Sequence, residues 1–215
     1  MRPFPFIGGE GSIKPFLEHV LAGEYDIAGV ELSSPPVVLD IGANVGAYTW
    51  WALERWPGCT VWAYEPEQHN FEAFNANLIR HPDARNVHVE RRAIVQCASA
   101  TQVTLYQSQI NGGMHSLIPG LAGEGCVPMQ VPSLDASRLP IADVVKIDAE
   151  GIEGWLVVEL LLRFSPLVIS VEWHHEDLRK SITRVCEAAG YSLWSGNVFR
   201  ANIGTFNFIK KPDSL

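Results

Sequence analysis

The chain has 215 residues, with 47% hydrophobic and 19% charged side chains, which is typical of one globular domain with a sizeable core and excludes a disordered chain. The formal net charge of −8 argues against a nucleic-acid partner and against an anionic membrane surface. The 4 cysteines are far apart and form no CxxC pair, so we expect reduced thiols in a cytoplasmic protein and no structural zinc.

Residues 1–35 are expected to form a lead-in, and residues 36–215 a single domain. Apolar residues at helical spacing predict a short helix over residues 14–21 of the lead-in. Packing against the domain is the expected role of this segment, and a lid over a ligand is the alternative. Prolines and glycines interrupt the N-terminus, so we expect no signal peptide, and no apolar run is long enough to predict a membrane span.

The first predicted strand is followed by a glycine turn. The apolar run at residues 37–39 predicts a strand buried on both faces, with Asp40 at its carboxyl end. Gly42 and Gly46 permit a tight turn whose backbone can approach a ligand closely. Asn44 is expected to cap the helix that follows.

Two carboxylates in this region indicate which ligand fits. Asp40 would repel a pyrophosphate but could pair with an ammonium group, and the turn lacks the third glycine of a dinucleotide site. The second predicted strand ends in Glu65, which is positioned to accept both hydroxyls of a ribose. S-adenosyl-L-methionine combines an amino-acid head with a nucleoside tail and would satisfy both acids.

Helices and strands are expected to alternate along the rest of the chain. Helices are predicted over residues 46–56, 67–80, 149–164 and 176–189. Strands are predicted over residues 86–91 (leading to Ala93 and Ile94), 101–106, 126–131, 142–148, 166–172, 191–194 and 204–209. This order predicts an α/β fold with a mainly parallel sheet, helices on both faces and a C-terminal antiparallel pair.

The glycine-rich excursion at residues 107–125 interrupts this alternation and contains His115 and Ser116. It is either a cover over the site, with both side chains near the reacting methyl group, or an ordinary surface hairpin.

Four predicted strands end in carboxylates at one edge of the sheet, namely Asp40, Glu65, Asp148 and Glu172. Asp148 and Glu172 are left for the reactive end once the other two are assigned to the cofactor. Lys146 lies two residues before Asp148 and points to the same side of its strand, either as part of the site or as a structural ion pair. His174 is a candidate general base, because an imidazole titrates near neutrality.

Four segments carry a family resemblance: LDIGANVGAYT (39–49), YEPE (64–67), SLD (133–135) and VKIDAEGIE (145–153). Together they resemble the FkbM family of S-adenosylmethionine-dependent methyltransferases, over residues 36 to 210 approximately. The resemblance implies a class I Rossmann-like fold and O-methylation of a hydroxyl on a sugar, a polyketide or another secondary metabolite. The expected cofactor-binding residues are Asp40, Gly42, Asn44, Gly46, Glu65, Pro66 and Asp148.

Two other functions remain open, a non-catalytic S-adenosylmethionine-binding module and an NAD-dependent oxidoreductase. For the methyltransferase, we expect a metal-free mechanism in which His174 is the base and Lys146 holds Asp148 in place to orient the acceptor or cofactor. The alternative is Mg²⁺ or a transition metal bound by Asp148, Glu172 and His174.

Overall fold

The computed structural model describes Val20 and residues 23–32, 34–96, 101–109, 114–200 and 203–212. Strands and helices alternate through these residues. The strands are β1 (Val37–Ile41), β2 (Thr60–Tyr64), β3 (Val87–Glu90), β4 (Ala93–Val95), β5 (Gln102–Gln107), β6 (Val127–Asp135), β7 (Val144–Ile147), β8 (Val168–Trp173), β9 (Tyr191–Arg200) and β10 (Ile203–Lys210). The helices are α1 (Ala47–Arg55), α2 (Gln68–Leu78), α3 (Glu153–Arg163) and α4 (Glu176–Ala188).

The central sheet has seven strands in the order β3-β2-β1-β7-β8-β10-β9. The five strands from β3 to β8 are mutually parallel, and β10 runs antiparallel to both β8 and β9. This confirms the mainly parallel sheet and the C-terminal antiparallel pair. The strand order reverses between β1 and β7, and ligands bind at such a reversal in open α/β sheets.

The helices cover both faces of the sheet, as predicted. Alternate residues of a strand point to opposite faces, so Val38 joins the apolar cluster that contains α1 and α2. Leu39 and Ile41 join the cluster that contains α3 and α4. β1 is therefore buried on both sides, which explains why its sequence is a continuous apolar run rather than an alternating one.

Three strands form a second, smaller sheet in the order β4-β6-β5. Ala93 and Ile94 belong to this sheet and do not extend β3, because β4 pairs with β6. The predicted strands on either side of the excursion are confirmed as the antiparallel pair β5 and β6. This small sheet places the excursion near the carboxyl edge of the central sheet.

The described part of the lead-in packs against the domain. Tyr25 and Ile27 are buried in the same cluster as α1. The Tyr25 ring meets Tyr48 edge-on, with 4.8 Å between ring centroids. The helix expected over residues 14–21 lies outside the described residues, apart from Val20. Among the described residues, no helix is long and apolar enough to cross a membrane.

Candidate functional site

The turn after β1 forms the floor of the site. Gly42 has a φ of 75°, and a Cβ at this position would lie 1.6 Å from the carbonyl oxygen of Asp148, so only glycine fits. The N–H groups of Gly42 and Ala43 both donate to the carbonyl oxygen of Tyr64, at 3.0 Å each. The turn is thereby held against the carboxyl ends of β2 and β7.

Asn44 does not cap α1, which corrects the sequence prediction. Asn44 has a φ of 50°, and its side-chain oxygen accepts a hydrogen bond from the adjacent Val45 N–H at 2.8 Å. The N-cap residue is Gly46, which has a φ of 88° and contributes no side-chain cap. The left-handed conformation of Asn44 turns its side chain back onto the loop and away from the first turn of the helix.

Glu65 lies directly after β2 and is only 4% exposed. Its carboxylate accepts hydrogen bonds from the Asn44 N–H at 2.8 Å and from the Glu67 N–H at 2.9 Å. Burial nevertheless raises the pKa of Glu65 to about 7. Each carboxylate oxygen has more than one acceptor site, so Glu65 keeps the capacity to bind hydroxyl groups that enter the cleft.

Asp40 and Lys146 form a buried pair beneath this floor. Asp40 is completely buried and accepts a hydrogen bond from the Thr49 hydroxyl at 2.7 Å. The Lys146 Nζ lies 3.4 Å from Asp40 and 3.5 Å from Asp148, and it donates to the Gly42 carbonyl oxygen at 2.6 Å. Burial alone would lower the pKa of Lys146, but Asp40 and Asp148 raise it above its ordinary value, so the ammonium remains charged.

This burial bears on the predicted role of Asp40. A ligand's ammonium group would reach Asp148 before it reached Asp40, because Asp148 lines the cleft and Asp40 is covered. The arrangement therefore favours an indirect role for Asp40, in which it holds Lys146 and, through Lys146, the turn at Gly42. Direct contact between Asp40 and the cofactor stays a prediction that this geometry does not favour.

A cleft lies above the floor, with an empty volume of about 560 Å³ that includes its open mouth. Of the predicted cofactor residues, five line it: Gly42, Asn44, Glu65, Pro66 and Asp148. Gly46 does not line the cleft. A Cβ at this position would lie 2.8 Å from the Phe74 ring. Apolar side chains complete the walls, among them Ile94, Leu105 and Ile152. The cleft thus combines a polar floor with walls suited to a flat apolar group.

His174 lies in a cage of carboxylates beside the cleft. Its Nε2 is 3.1 Å from Glu150 and 3.5 Å from Glu172, and its Nδ1 is 3.3 Å from Glu153. Burial opposes the charged form, but Glu150 and Glu153 raise the pKa of His174 to about 12. An imidazole that is already protonated cannot accept a proton, so this geometry does not support His174 as the general base.

The sequence-based site list did not include Glu150 and Glu153. Glu150 has a φ of 49°, and Glu153 is fully buried and accepts a hydrogen bond from the Gly151 N–H at 2.9 Å. The available signal was the recurrence of three acids within six residues directly after a buried strand. Acidic side chains are seldom fully buried unless they are paired.

The excursion folds back toward the cleft. Tyr106 and Ser116 exchange two backbone hydrogen bonds, of 2.8 and 3.1 Å. The Ser116 hydroxyl donates to the carbonyl oxygen of Glu150, and His115 lines the cleft. The described part of the excursion therefore contacts the site, which favours the cover interpretation over a free surface hairpin. Residues 110–113 lie outside the described residues, and the position of His115 and Ser116 relative to a methyl group stays a prediction.

Comparison with known proteins identifies relatives of this chain. Residues 40–193 match the family model described as the methyltransferase FkbM domain. Over 88 residues the chain is 38% identical to 31-O-demethyl-FK506 methyltransferase FkbM of Streptomyces tacrolimicus, a match that covers 40% of this chain and only 33% of that enzyme.

Among the solved structures that share the fold are two methyltransferases. One is precorrin-6y C5,15-methyltransferase of Geobacter metallireducens GS-15, with a TM-score of 0.57, 17% identity and coverage of 96% of this chain and 93% of that chain. The other is magnesium protoporphyrin IX methyltransferase of Synechocystis PCC 6803 with bound S-adenosylmethionine, with a TM-score of 0.51, 8% identity and coverage of 93% and 78%. They confirm the class I Rossmann-like fold. Because the family model matches most of the chain, the protein belongs to the FkbM family of methyltransferases.

Proposed function

We propose that this protein is an O-methyltransferase that uses S-adenosylmethionine to methylate a hydroxyl group on a small molecule. Methyltransferase activity and the cofactor follow from the family and the fold. The oxygen acceptor is the proposed part, and the curated relative, which is named for methylation at an oxygen, supports it. The acceptor class we favour is a sugar, a polyketide or another secondary metabolite.

One observation carries this proposal: the lining of the cleft combines two chemically different sets of residues. Glu65, Gly42 and the apolar walls suit a ribose, an amino-acid head and a flat base, so the residues present fit S-adenosylmethionine. Asp148 and Glu150 add an acidic part to the same cleft, with side chains that are 13% and 14% exposed, and we assign this part to the acceptor. Partly exposed carboxylates beside a cofactor cleft are suited to orienting a hydroxyl donor.

The cleft residues would have distinct roles in binding the cofactor and the acceptor. Glu65 would accept hydrogen bonds from the ribose hydroxyls, and Gly42 and Asn44 line the cleft beside it. When bound, S-adenosylmethionine supplies an electrophilic sulfonium methyl group, so holding the acceptor oxygen in line accounts for much of the rate. Asp148, Glu150 and Glu172 would hold the acceptor in that line.

The family match removes the oxidoreductase alternative, since the chain belongs to a methyltransferase family. The alternative of a non-catalytic binding module remains to be tested by activity. The acidic part of the cleft argues against it, because a module that only binds the cofactor has no need of an acceptor site.

The cofactor assignment predicts a specific loss of affinity. Glu65→Gln removes the negative charge that would accept the ribose hydroxyls, and charged hydrogen bonds contribute about 1.5–3 kcal/mol, or roughly ten- to a hundredfold in affinity. Calorimetry with S-adenosylhomocysteine at pH 8, where Glu65 is ionised, measures this loss. Glu72→Gln is the control, because Glu72 is exposed on α2 and undergoes the same change of charge. Equal affinity of both variants for S-adenosylhomocysteine would show that Glu65 does not bind the cofactor.

The acceptor assignment is tested separately by following isotopically labelled methyl groups from S-adenosylmethionine into small molecules. Hydroxylated sugars and polyketide alcohols would be compared with their amine and thiol analogues. We expect label in the hydroxyl compounds and a new methyl ether by mass spectrometry. Transfer to nitrogen or sulfur alone would overturn the oxygen assignment, and binding without any transfer would favour the non-catalytic module.

A further inference from the structure

The ends of β7 and β8 bring together a set of side chains that can ligate a metal. One ligand atom each from Asp148, Glu150 and His174 lies within 4.8 Å of the other two. Glu172 is adjacent, with its Oε1 3.5 Å from His174 Nε2. All four side chains are partly accessible, between 10% and 14% exposed, unlike the fully covered Asp40 below them.

We propose that Asp148, Glu150 and His174 bind a divalent cation at the acidic part of the cleft, with Glu172 as a further ligand. Whether the ion binds does not depend on the proposed function. Its role in activating an acceptor hydroxyl rests on that function. The proposal departs from the metal-free mechanism expected from the sequence, and it adds Glu150 to the ligands considered there.

The spacing of the ligand atoms fits an ion after small side-chain movements. Ligands bound at about 2.1 Å lie roughly 3.0 to 4.2 Å apart around an octahedral ion. At most one of the three pairs can lie opposite each other across the ion, so a separation of 4.8 Å between two ligand atoms has to contract by up to about 2 Å. Rotation of two partly exposed carboxylates can supply this change without movement of the backbone.

The two ring nitrogens of His174 face different carboxylates, as they would in a metal site. Ligating histidines usually donate the N–H of the second ring nitrogen to an outer carboxylate, which fixes the tautomer and points the other nitrogen at the metal. Here Nδ1 faces Glu153, which is fully buried and held by the N–H groups of Ala149 and Gly151. Nε2 faces Glu150 and Glu172. His174 is itself nine-tenths buried, so its direction is set by packing.

Acidic side chains outnumber basic ones in this region. Lys146 is paired with Asp40 and Asp148, and His174 with Glu150, Glu153 and Glu172. These contacts join five carboxylates to two basic side chains among the described residues. A divalent cation would offset this excess of acidic groups.

The mixed ligand set favours Mn²⁺ or Mg²⁺. Carboxylates suit both ions, and an imidazole is more readily accepted by Mn²⁺. An ion at this position would lower the pKa of a bound acceptor hydroxyl. His174 would bind the ion as a neutral imidazole, so the ion would displace the proton that the histidine otherwise holds between the carboxylates. The site therefore offers a route to hydroxyl activation in which the histidine is a ligand and not the base.

The test measures direct binding of Mn²⁺ to the metal-free protein through the loss of the electron paramagnetic resonance signal of free Mn²⁺. We expect saturable binding at one site. Glu150→Gln and Asp148→Asn should each weaken it, about ten- to a hundredfold. Asp177→Asn is the matched control, since Asp177 is exposed at the start of α4 and loses the same charge. Far-UV circular dichroism would establish that each variant is folded.

Two results would overturn the site: no saturable Mn²⁺ binding by the wild type, or binding that both site variants retain at full strength. A second measurement separates this outcome from failure of the proposed function. S-adenosylhomocysteine binding in the presence of EDTA should be preserved, since Glu65 and Gly42 lie outside the metal cluster. Intact cofactor binding without Mn²⁺ binding would reject the metal site alone, whereas loss of cofactor binding would reject the proposed function.

Discussion

At the scale of single residues, the ammonium of Lys146 links three parts of the site. It contacts Asp40 in the neighbouring strand, the Gly42 carbonyl in the turn and Asp148 after its own strand. Asp40 and Lys146 are direct partners in the register of β1 and β7, so the sheet itself brings them together. Removing one member of such a buried pair leaves the other charge uncompensated, which typically costs 3–5 kcal/mol.

Glu65 makes the stability of the ligand-free protein depend on pH. Its folded-state pKa of about 7 lies above its ordinary value of 4.5, because burial disfavours the carboxylate. The folded state therefore holds this proton more tightly than the unfolded chain does. The resulting stabilisation is fully present below pH 4.5 and is lost as the pH rises to about 7. The loss amounts to roughly 3 kcal/mol for a carboxyl group buried as deeply as Glu65.

We therefore expect Glu65→Gln to shift stability in a pH-dependent direction. The glutamine loses one backbone hydrogen bond at every pH, but it escapes the cost of a buried charge above neutrality. Relative to wild type, the free energy of unfolding of the variant should improve by roughly 3 kcal/mol between pH 5 and pH 8. Urea denaturation at both pH values measures this difference, with Glu72→Gln as the control. A difference that does not change with pH would contradict the assigned origin of the shift.

At the scale of elements, the site is built where two loops touch. The turn after β1 and the loop after β7 approach so closely that Gly42 has no room for a side chain. This contact sets the distance between the cofactor residues on β1 and β2 and the acidic residues on β7 and β8.

Gly42→Ala tests the contact. The added Cβ would meet the backbone of Asp148, and we expect a loss of several kcal/mol in stability together with loss of S-adenosylhomocysteine binding. Gly123→Ala is the matched control, because Gly123 has a similar φ of 87° but open space around its Cβ. That variant should lose only roughly 1 kcal/mol, the cost of a left-handed conformation. Thermal denaturation and calorimetry compare the two; equal losses would show that backbone strain, and not the loop contact, matters.

At the scale of the whole molecule, the segment before the first strand belongs to the core. Tyr25 and Ile27 are buried beside α1, and the Glu24 carboxyl accepts a hydrogen bond from Thr205 in β10. The Asn207 side chain also donates to the Glu24 carbonyl oxygen, at 2.9 Å. The described lead-in therefore joins the α1 face of the sheet to the C-terminal hairpin.

Tyr25→Ala should destabilise the whole domain rather than only its N-terminus. The ring is 1% exposed and packs against Tyr48 and Trp51, and truncation of a buried aromatic costs about 3–5 kcal/mol. We expect one cooperative unfolding transition at a lower denaturant concentration. Tyr106→Ala in β5 is a control, since Tyr106 is only half-buried in the small sheet. A separate early transition for Tyr25→Ala would instead show that the lead-in unfolds independently.

The order of strands and helices could be predicted from the sequence because that information is local. Apolar runs, helical spacing and terminating glycines each involve a few neighbouring residues, and Gly190, with a φ of 89°, ends α4 as predicted. The carboxylates that end the parallel strands could likewise be placed at one edge, since parallel strands share their direction. Family membership was also accessible, because its motifs are contiguous segments of the chain.

The chemical state of those carboxylates was decided only by the tertiary structure. A pKa depends on burial and on charges brought from distant segments, so nothing in the local sequence shows that Asp40 is covered while Asp148 is accessible. The surroundings of His174 could not be predicted either. The sequence places it in a polar loop, but the structure encloses it with Glu150, Glu153 and Glu172. The sequence by itself determined the fold, the family and the edge at which chemistry occurs. The tertiary structure decided which acids are exposed and what charge the histidine carries, because both properties depend on residues far apart in the chain.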